Sequence, residues 1–242
     1  MKKTQHFLLT FILALIWNFG YAQDDVENRT TSSSDEIRLG ARIGGVLNTF
    51  NHAQPHIGEK AGAVASFWAE KYLSNKFSVQ GELSYLQQGG TYAKYIDNTV
   101  PGDLPYLTMT SSKITAQYAD LAILGKYQLV QIDGIRINIT AGGAFGYNIG
   151  VINKYERTYY DSRMFYTVDS KQMITQLFEP YQVGAVGGLG SEMNVAGKRL
   201  IIDFRYRYGL TPAMKSFSYI DLPTVATDIY TNSFYVMIGI GF

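Results

Sequence analysis

Asn232 to Phe242 reads N-S-F-Y-V-M-I-G-I-G-F. Phe234, Val236, Ile238, Ile240 and Phe242 fall on one parity, and Tyr235, Met237, Gly239 and Gly241 on the other. A strict period of two predicts a β-strand with one large apolar face and one small or polar face. About 9–11 such residues cross a bilayer when the strand is tilted. The same pattern suits the last strand of a soluble sandwich or barrel, so the rest of the chain has to decide.

The N-terminus points to export. Lys2 and Lys3 precede an apolar run from Phe7 to Trp17, and Gly20-Tyr21-Ala22 precedes Gln23. Residues 1–22 therefore read as a signal peptide, because the run is shorter than the roughly 20 residues a spanning helix needs. Residues 23–35 are polar and cannot offset their ordering entropy by burial, so they read as a flexible tail. Residues 36–242 remain for one large all-β domain. There is no cysteine, hence no disulfide framework or thiolate metal site, and a net charge of +1 gives no argument for nucleic acid. The 19 Tyr and 24 Gly do matter. Tyr favours membrane–water boundaries, and Gly suits strands that curve or pack closely.

Eight alternating stretches follow: Glu36 to Leu47, Gly62 to Tyr72, Phe77 to Gln87, Ile114 to Leu129, Ile135 to Ile149, Tyr181 to Glu192, Leu200 to Leu210 and Asn232 to Phe242. The second fits either parity. The connections alternate long and short, which predicts an all-β, eight-stranded antiparallel up-and-down transmembrane β-barrel with its long loops at one end. Charges keep to one parity: Arg38, Arg42, Glu82, Asp120, Lys126, Arg136, Asp203, Arg205 and Arg207. A soluble barrel alternates too, but the leader, the loop alternation and the aromatic terminus favour lipid on the apolar side. Sliding Leu200 to Leu210 by one residue would put Arg205 and Arg207 into hydrocarbon at about 2–4 kcal/mol each.

Three stretches carry a resemblance. They are the hairpin from Tyr72 to Gly89 (Y-L-S-N-K-F-S-V-Q-G-E-L-S-Y-L-Q-Q-G), Tyr118 to Tyr127 (Y-A-D-L-A-I-L-G-K-Y) and Phe204 to Thr211 (F-R-Y-R-Y-G-L-T). Together with Phe242 they resemble the PorT-like family of outer-membrane β-barrel proteins, often labelled porin-family proteins. The resemblance implies a barrel in the cell outer membrane, inserted by the barrel-assembly machinery that reads the last strand. It also implies that one member type is an accessory of a protein-secretion system.

The chemistry on offer is sparse. An eight-stranded barrel is just wide enough for side chains to fill it. The inward charges are therefore expected to pair and plug the lumen, because an unpaired buried charge is costly. Six basic against three acidic residues leave open a narrow, anion-preferring, porin-like channel instead. His52, His56 and Glu59 have a spacing that suits a helix face, but they lie around Pro55 in a loop and read as solvated. No nucleophile elbow, phosphate loop or carboxylate pair appears. The expectation is thus no enzyme, no metal and no cofactor. Tyr155, Arg157, Tyr159, Tyr160, Arg163 and Tyr166 interleave aromatics with arginine in the long loop from Gly150 to Pro180. Such side chains are enriched at binding hot spots, so this loop is a candidate site for a surface glycan or a protein.

Overall fold

The computed structural model describes residues 37–51, 57–97, 108–132, 134–161, 164–195, 197–214 and 228–242. The expected signal peptide, the tail, Glu36, His52 and His56 lie outside the described residues. Ten strands follow in order: β1 (Ile37–Asn51), β2 (Ile57–Gly58), β3 (Lys60–Tyr72), β4 (Phe77–Asp97), β5 (Thr108–Ile132), β6 (Ile135–Asp161), β7 (Met164–Met173), β8 (Tyr181–Val195), β9 (Lys198–Gly209) and β10 (Tyr230–Gly241).

Eight of them close a ring, in the order β4, β3, β1, β10, β9, β8, β6, β5, with β5 returning to β4. All pairings are antiparallel. β1 and β10 seal the barrel along twelve residue pairs, from Gly40 opposite Gly241 to Asn51 opposite Tyr230. Closure leaves no strand edge within the ring, as lipid requires of backbone polar groups. The short strand β2 lies on β4, and β7 lies on the upper part of β6 above β8.

The lateral surface is apolar. Ile43, Ile123, Leu83, Leu189, Phe204 and Ile238 all stand outward, each close to half exposed or more. The interior is where the charge sits: Arg42, Glu82, Asp203, Arg205 and Arg207 are all at most 5% exposed. A water-soluble barrel has the opposite polarity. The uncertain parity of β3 resolves with Val64, Ser66, Trp68 and Glu70 inward and Ala63, Ala65, Phe67 and Ala69 outward.

The expected boundaries need small corrections at the short-turn end, where β5 runs to Ile132, β8 to Val195 and β9 starts at Lys198, and large ones at the other. The short turns hold: Leu73 to Lys76 joins β3 to β4, and Gly197, at φ 77°, lies between paired Val195 and Lys198. At the other end, segments expected as loops are strand. β4 runs to Asp97, β5 starts at Thr108 and β6 runs to Asp161. Ile152 to Asp161 pairs back onto Met164 to Met173 as a hairpin, not a loop. The apolar alternation fades there because lipid no longer demands it, and pairing alone keeps the backbone extended. By the rule that outer-membrane barrels keep short turns on the periplasmic side, this extended end faces outside.

Candidate functional site

Inward side chains meet in layers from the periplasmic end upward. Lys126 on β5 lies between Glu70 on β3, at 3.3 Å, and Glu192 on β8. Arg199 on β9 reaches the same two carboxylates, each at 3.1 Å. Ser78 donates to Glu70 at 2.6 Å. Four charges thus close a loop that crosses the barrel.

Trp68 forms the next layer. The Arg42 guanidinium lies 5.0 Å from its ring centre and the Arg199 guanidinium 5.1 Å. This indole separates the lower ionic cluster from a second one. There Arg42 meets Glu82 at 2.9 Å and Asp203 at 2.8 Å, while Arg205 meets Glu82 at 2.8 Å and Asp203 at 3.1 Å. Gln80 donates to Glu82 and accepts from Arg42. Above it, Arg207 binds Asp120 at 2.6 Å. In a low-dielectric lumen such pairs balance desolvation only when their remaining donors and acceptors are also served. Gln80 and Ser78 serve part of this need around Arg42, Glu82 and Glu70, while Arg205 Nε finds no hydrogen-bond partner among the described residues.

Nearer the outer end the filling turns apolar. Val46, Leu86, Ile114, Val151 and Met237 pack together. Two connecting segments cover them: Ile174 and Phe178 around a short 3-10 turn at Thr175–Leu177, and Ala213 with Met214. The cover is tied down by backbone bonds. Ile174 donates to the Val151 carbonyl at 3.0 Å, Glu179 to Ala213 at 2.9 Å, and Ala213 to Ile229 at 2.7 Å. Beside this core, Ser233 donates to Asn48 at 2.7 Å and Gln88 to Ser233 at 3.1 Å, linking β10, β1 and β4 across the mouth.

The sequence-selected charges do not all join these clusters. Arg42, Glu82, Asp120, Lys126, Asp203, Arg205 and Arg207 are deeply buried and bridged. Arg38 is half-buried near the periplasmic end, its guanidinium 4.8 Å from the Tyr72 ring centre. Arg136 is also half-buried and stands opposite Glu192 in register. Sequence reasoning missed Glu70, Glu192 and Arg199. Their charge was the signal, since a carboxylate at Glu70 cannot face lipid and so fixes the parity of β3. Arg199 lies four residues before Asp203 and so shares its face. With these three included, five bridged cations meet five bridged anions, and the expected surplus of inward positive charge is absent from this ion-paired set.

Phe234, Val236 and Ile238 on β10, and Phe242 just past its end, stand outward, with Ile240 half-buried on the same parity. Tyr155 is half-buried on β6. The side chains of Arg157, Tyr159, Tyr160 and Tyr166, and all of Arg163, lie outside the described residues. Among the described residues no group of three or more His, Asp or Glu side chains could hold a metal ion.

Residues 21–215 match the model of a family described as outer membrane protein beta-barrel domain. Solved structures similar to the chain include a neisserial surface protein, NspA, at 11% identity and TM-score 0.41, covering 86% of this chain and 98% of that one. Ail, the attachment invasion locus protein of Yersinia pestis, solved with the heparin analogue sucrose octasulfate, is 12% identical at TM-score 0.36, covering 86% and 99%. A major outer membrane protein of Thermus thermophilus is 11% identical at TM-score 0.34, covering 84% and 99%. No curated protein matches the chain.

Proposed function

The chain belongs to the outer membrane protein beta-barrel domain family, and from that premise we propose that it is a closed, non-conducting barrel of the outer membrane which acts through its outer strand extensions. One observation carries the reading. Glu82 and Arg205 meet at 2.8 Å from β4 and β9, which stand opposite each other in the ring. A water-filled path cannot run past an ion pair that spans the diameter and is flanked by Arg42, Asp203 and Asp120. The cavity beside it, lined by Glu82, Asp120 and Arg205, measures about 30 Å³, room for a water or two.

Planar-bilayer recording tests this. The reconstituted wild-type protein should give no discrete conductance steps in molar KCl. Reproducible steps from protein free of other porins refute the closed barrel and restore the narrow channel.

The working surface is then the part outside the membrane, and the hairpin of β6 and β7 is its largest regular element. Its aromatic and arginine residues suit a surface glycan or a protein, with no catalytic step. Replacing Tyr159, Tyr160 and Tyr166 with Ser should abolish binding of the folded barrel to cells or matrix without changing its conductance; retained binding rules the hairpin out. The likeness of Tyr72 to Gly89, Tyr118 to Tyr127 and Phe204 to Thr211 to PorT-like proteins makes an accessory role in protein export the second reading. A secretion defect on deletion, with a partner co-purifying from native membranes, would favour it over surface adhesion.

A further inference from the structure

The outward face of the β5–β6–β7 extension changes character in rows. Thr115, Ile152 and Met173 stand opposite one another in register, and Met173 is 61% exposed. Two residues further from the barrel, Lys113 pairs with Lys154, and Lys154 pairs with Lys171. Two residues further again, Ser111, Glu156 and Asp169 form a row. Directly opposed residues of an antiparallel pair share a face. The three lysines therefore stand side by side on adjacent strands about 4.8 Å apart.

All three are exposed, and among the described residues no ion pair joins any of them to a carboxylate. Like charges directly opposite destabilise a sheet, and the nearest carboxylates on this face, Glu156 and Asp169, stand one row away rather than beside the lysines. Thr91 extends the row onto β4, opposite Lys113. An open concavity of about 530 Å³ runs along it, lined by Lys113, Lys154 and Lys171 together with Thr91 and, on the far side from the barrel, Glu156 and Asp169.

We propose that Lys113, Lys154 and Lys171 form a cradle for the phosphate groups of outer-leaflet lipids. The order of the rows carries the assignment. Apolar, then cationic, then anionic is the sequence of layers that a sheet leaving a membrane of anionic headgroups should present. Met173 and Ile152 lie toward the acyl chains. The lysines lie one row, about 6–7 Å along the strand, beyond them. Glu156 and Asp169 lie one row further still, where repulsion by headgroup phosphates is weaker. A soluble anion gives no reason for the apolar row on the barrel side. Bound lipid would neutralise the lysine row and brace the hairpin of β6 and β7 at its base.

The test uses the folded protein in nanodiscs of phosphatidylcholine containing a minority of phosphatidic acid. After release into detergent, native mass spectrometry reads the lipids that stay bound. Phosphatidic acid should be retained at least fivefold above its share of the disc, about the factor that one lysine contributes at an anionic surface. K113Q/K154Q/K171Q should lose the enrichment, and K113R/K154R/K171R should keep it. Heat-modifiable migration on gels checks that each variant is folded. If the triple glutamine variant does not fold, K154Q alone, at the centre of the row, should still lower retention severalfold. Undiminished enrichment in the glutamine variants overturns the proposal. Equal competition by inorganic phosphate at the same phosphate concentration overturns the lipid assignment in favour of a free anion.

Discussion

Glu82 and Arg205 lie 123 residues apart in the chain and on opposite sides of the barrel, yet their side chains meet at 2.8 Å. The carboxylate of Glu82 also takes Arg42 from a third strand, at 2.9 Å. One acidic side chain thus holds two cations from β1 and β9. Removing it leaves Arg42 and Arg205 with Asp203 as their shared counter-ion.

Glu82→Gln should therefore lower stability by about 3–5 kcal/mol, the cost of breaking a buried ion pair from one side. Urea unfolding in lipid vesicles, followed by tryptophan fluorescence, measures it. The double variant E82Q/R205Q should cost less than the sum of the two single changes, since the second change removes the cation the first one stranded. Strict additivity would mean that the two side chains do not interact in the membrane.

Gly40 marks a second constraint. It faces inward on β1, and a Cβ there would run into the Trp68 indole and the Ile240 carbonyl. Trp68 is 3% exposed and cannot retreat without disturbing Arg42 and Arg199 on its two sides. Gly40→Ala should cost about 1–3 kcal/mol by overpacking. Gly45→Ala, outward on the same strand with open space around its Cβ, is the control and should be near neutral. The same vesicle unfolding assay separates them.

The barrel was legible in the sequence because lipid punishes error. Wherever a strand crosses hydrocarbon, a charged residue on the wrong face is costly, so Arg205 and Arg207 gave the face of β9 without ambiguity. β3 was harder: Ala63, Ala65 and Ala69 are too small to distinguish an outer from an inner face, and only Glu70 carried the answer. The outer ends were read as loops because no apolar alternation survives in Asn153 to Asp161, although those residues are fully paired. The lysine row was invisible for another reason. Lys113, Lys154 and Lys171 come together through register between three strands, and no spacing within one strand reports that.

The apolar cover and the ionic layers should prove separable. Phe178 is 6% exposed over the core of Val46, Leu86 and Ile114. Phe178→Ala should cost about 3–5 kcal/mol if the site does not collapse. On the proposed closed barrel it should still leave the protein electrically silent, because the Glu82–Arg205 bridge lies below it. Conductance steps in the Phe178 variant would place the barrier in the cover.

Ile238 stands outward on β10, 51% exposed, between Ile43 on β1 and Ile202 on β9 in register. Four residues from the terminal Phe242, it lies near mid-height of an apolar band that is about 25 Å tall in barrels of this kind. Leu73, in the turn between β3 and β4, is 55% exposed and apolar as well, but sits at the boundary. In water the two positions are equivalent surface sites, and arginine at either should change stability by no more than about 0.5 kcal/mol. In a bilayer they differ. Ile238→Arg should cost about 2–4 kcal/mol and Leu73→Arg about 0–1 kcal/mol, because the penalty depends on depth. Vesicle unfolding of the two variants reads the difference directly. Equal, small effects would mean that the isoleucine row does not face acyl chains, and with that the inward placement of every charge in the lumen would lose its physical cause.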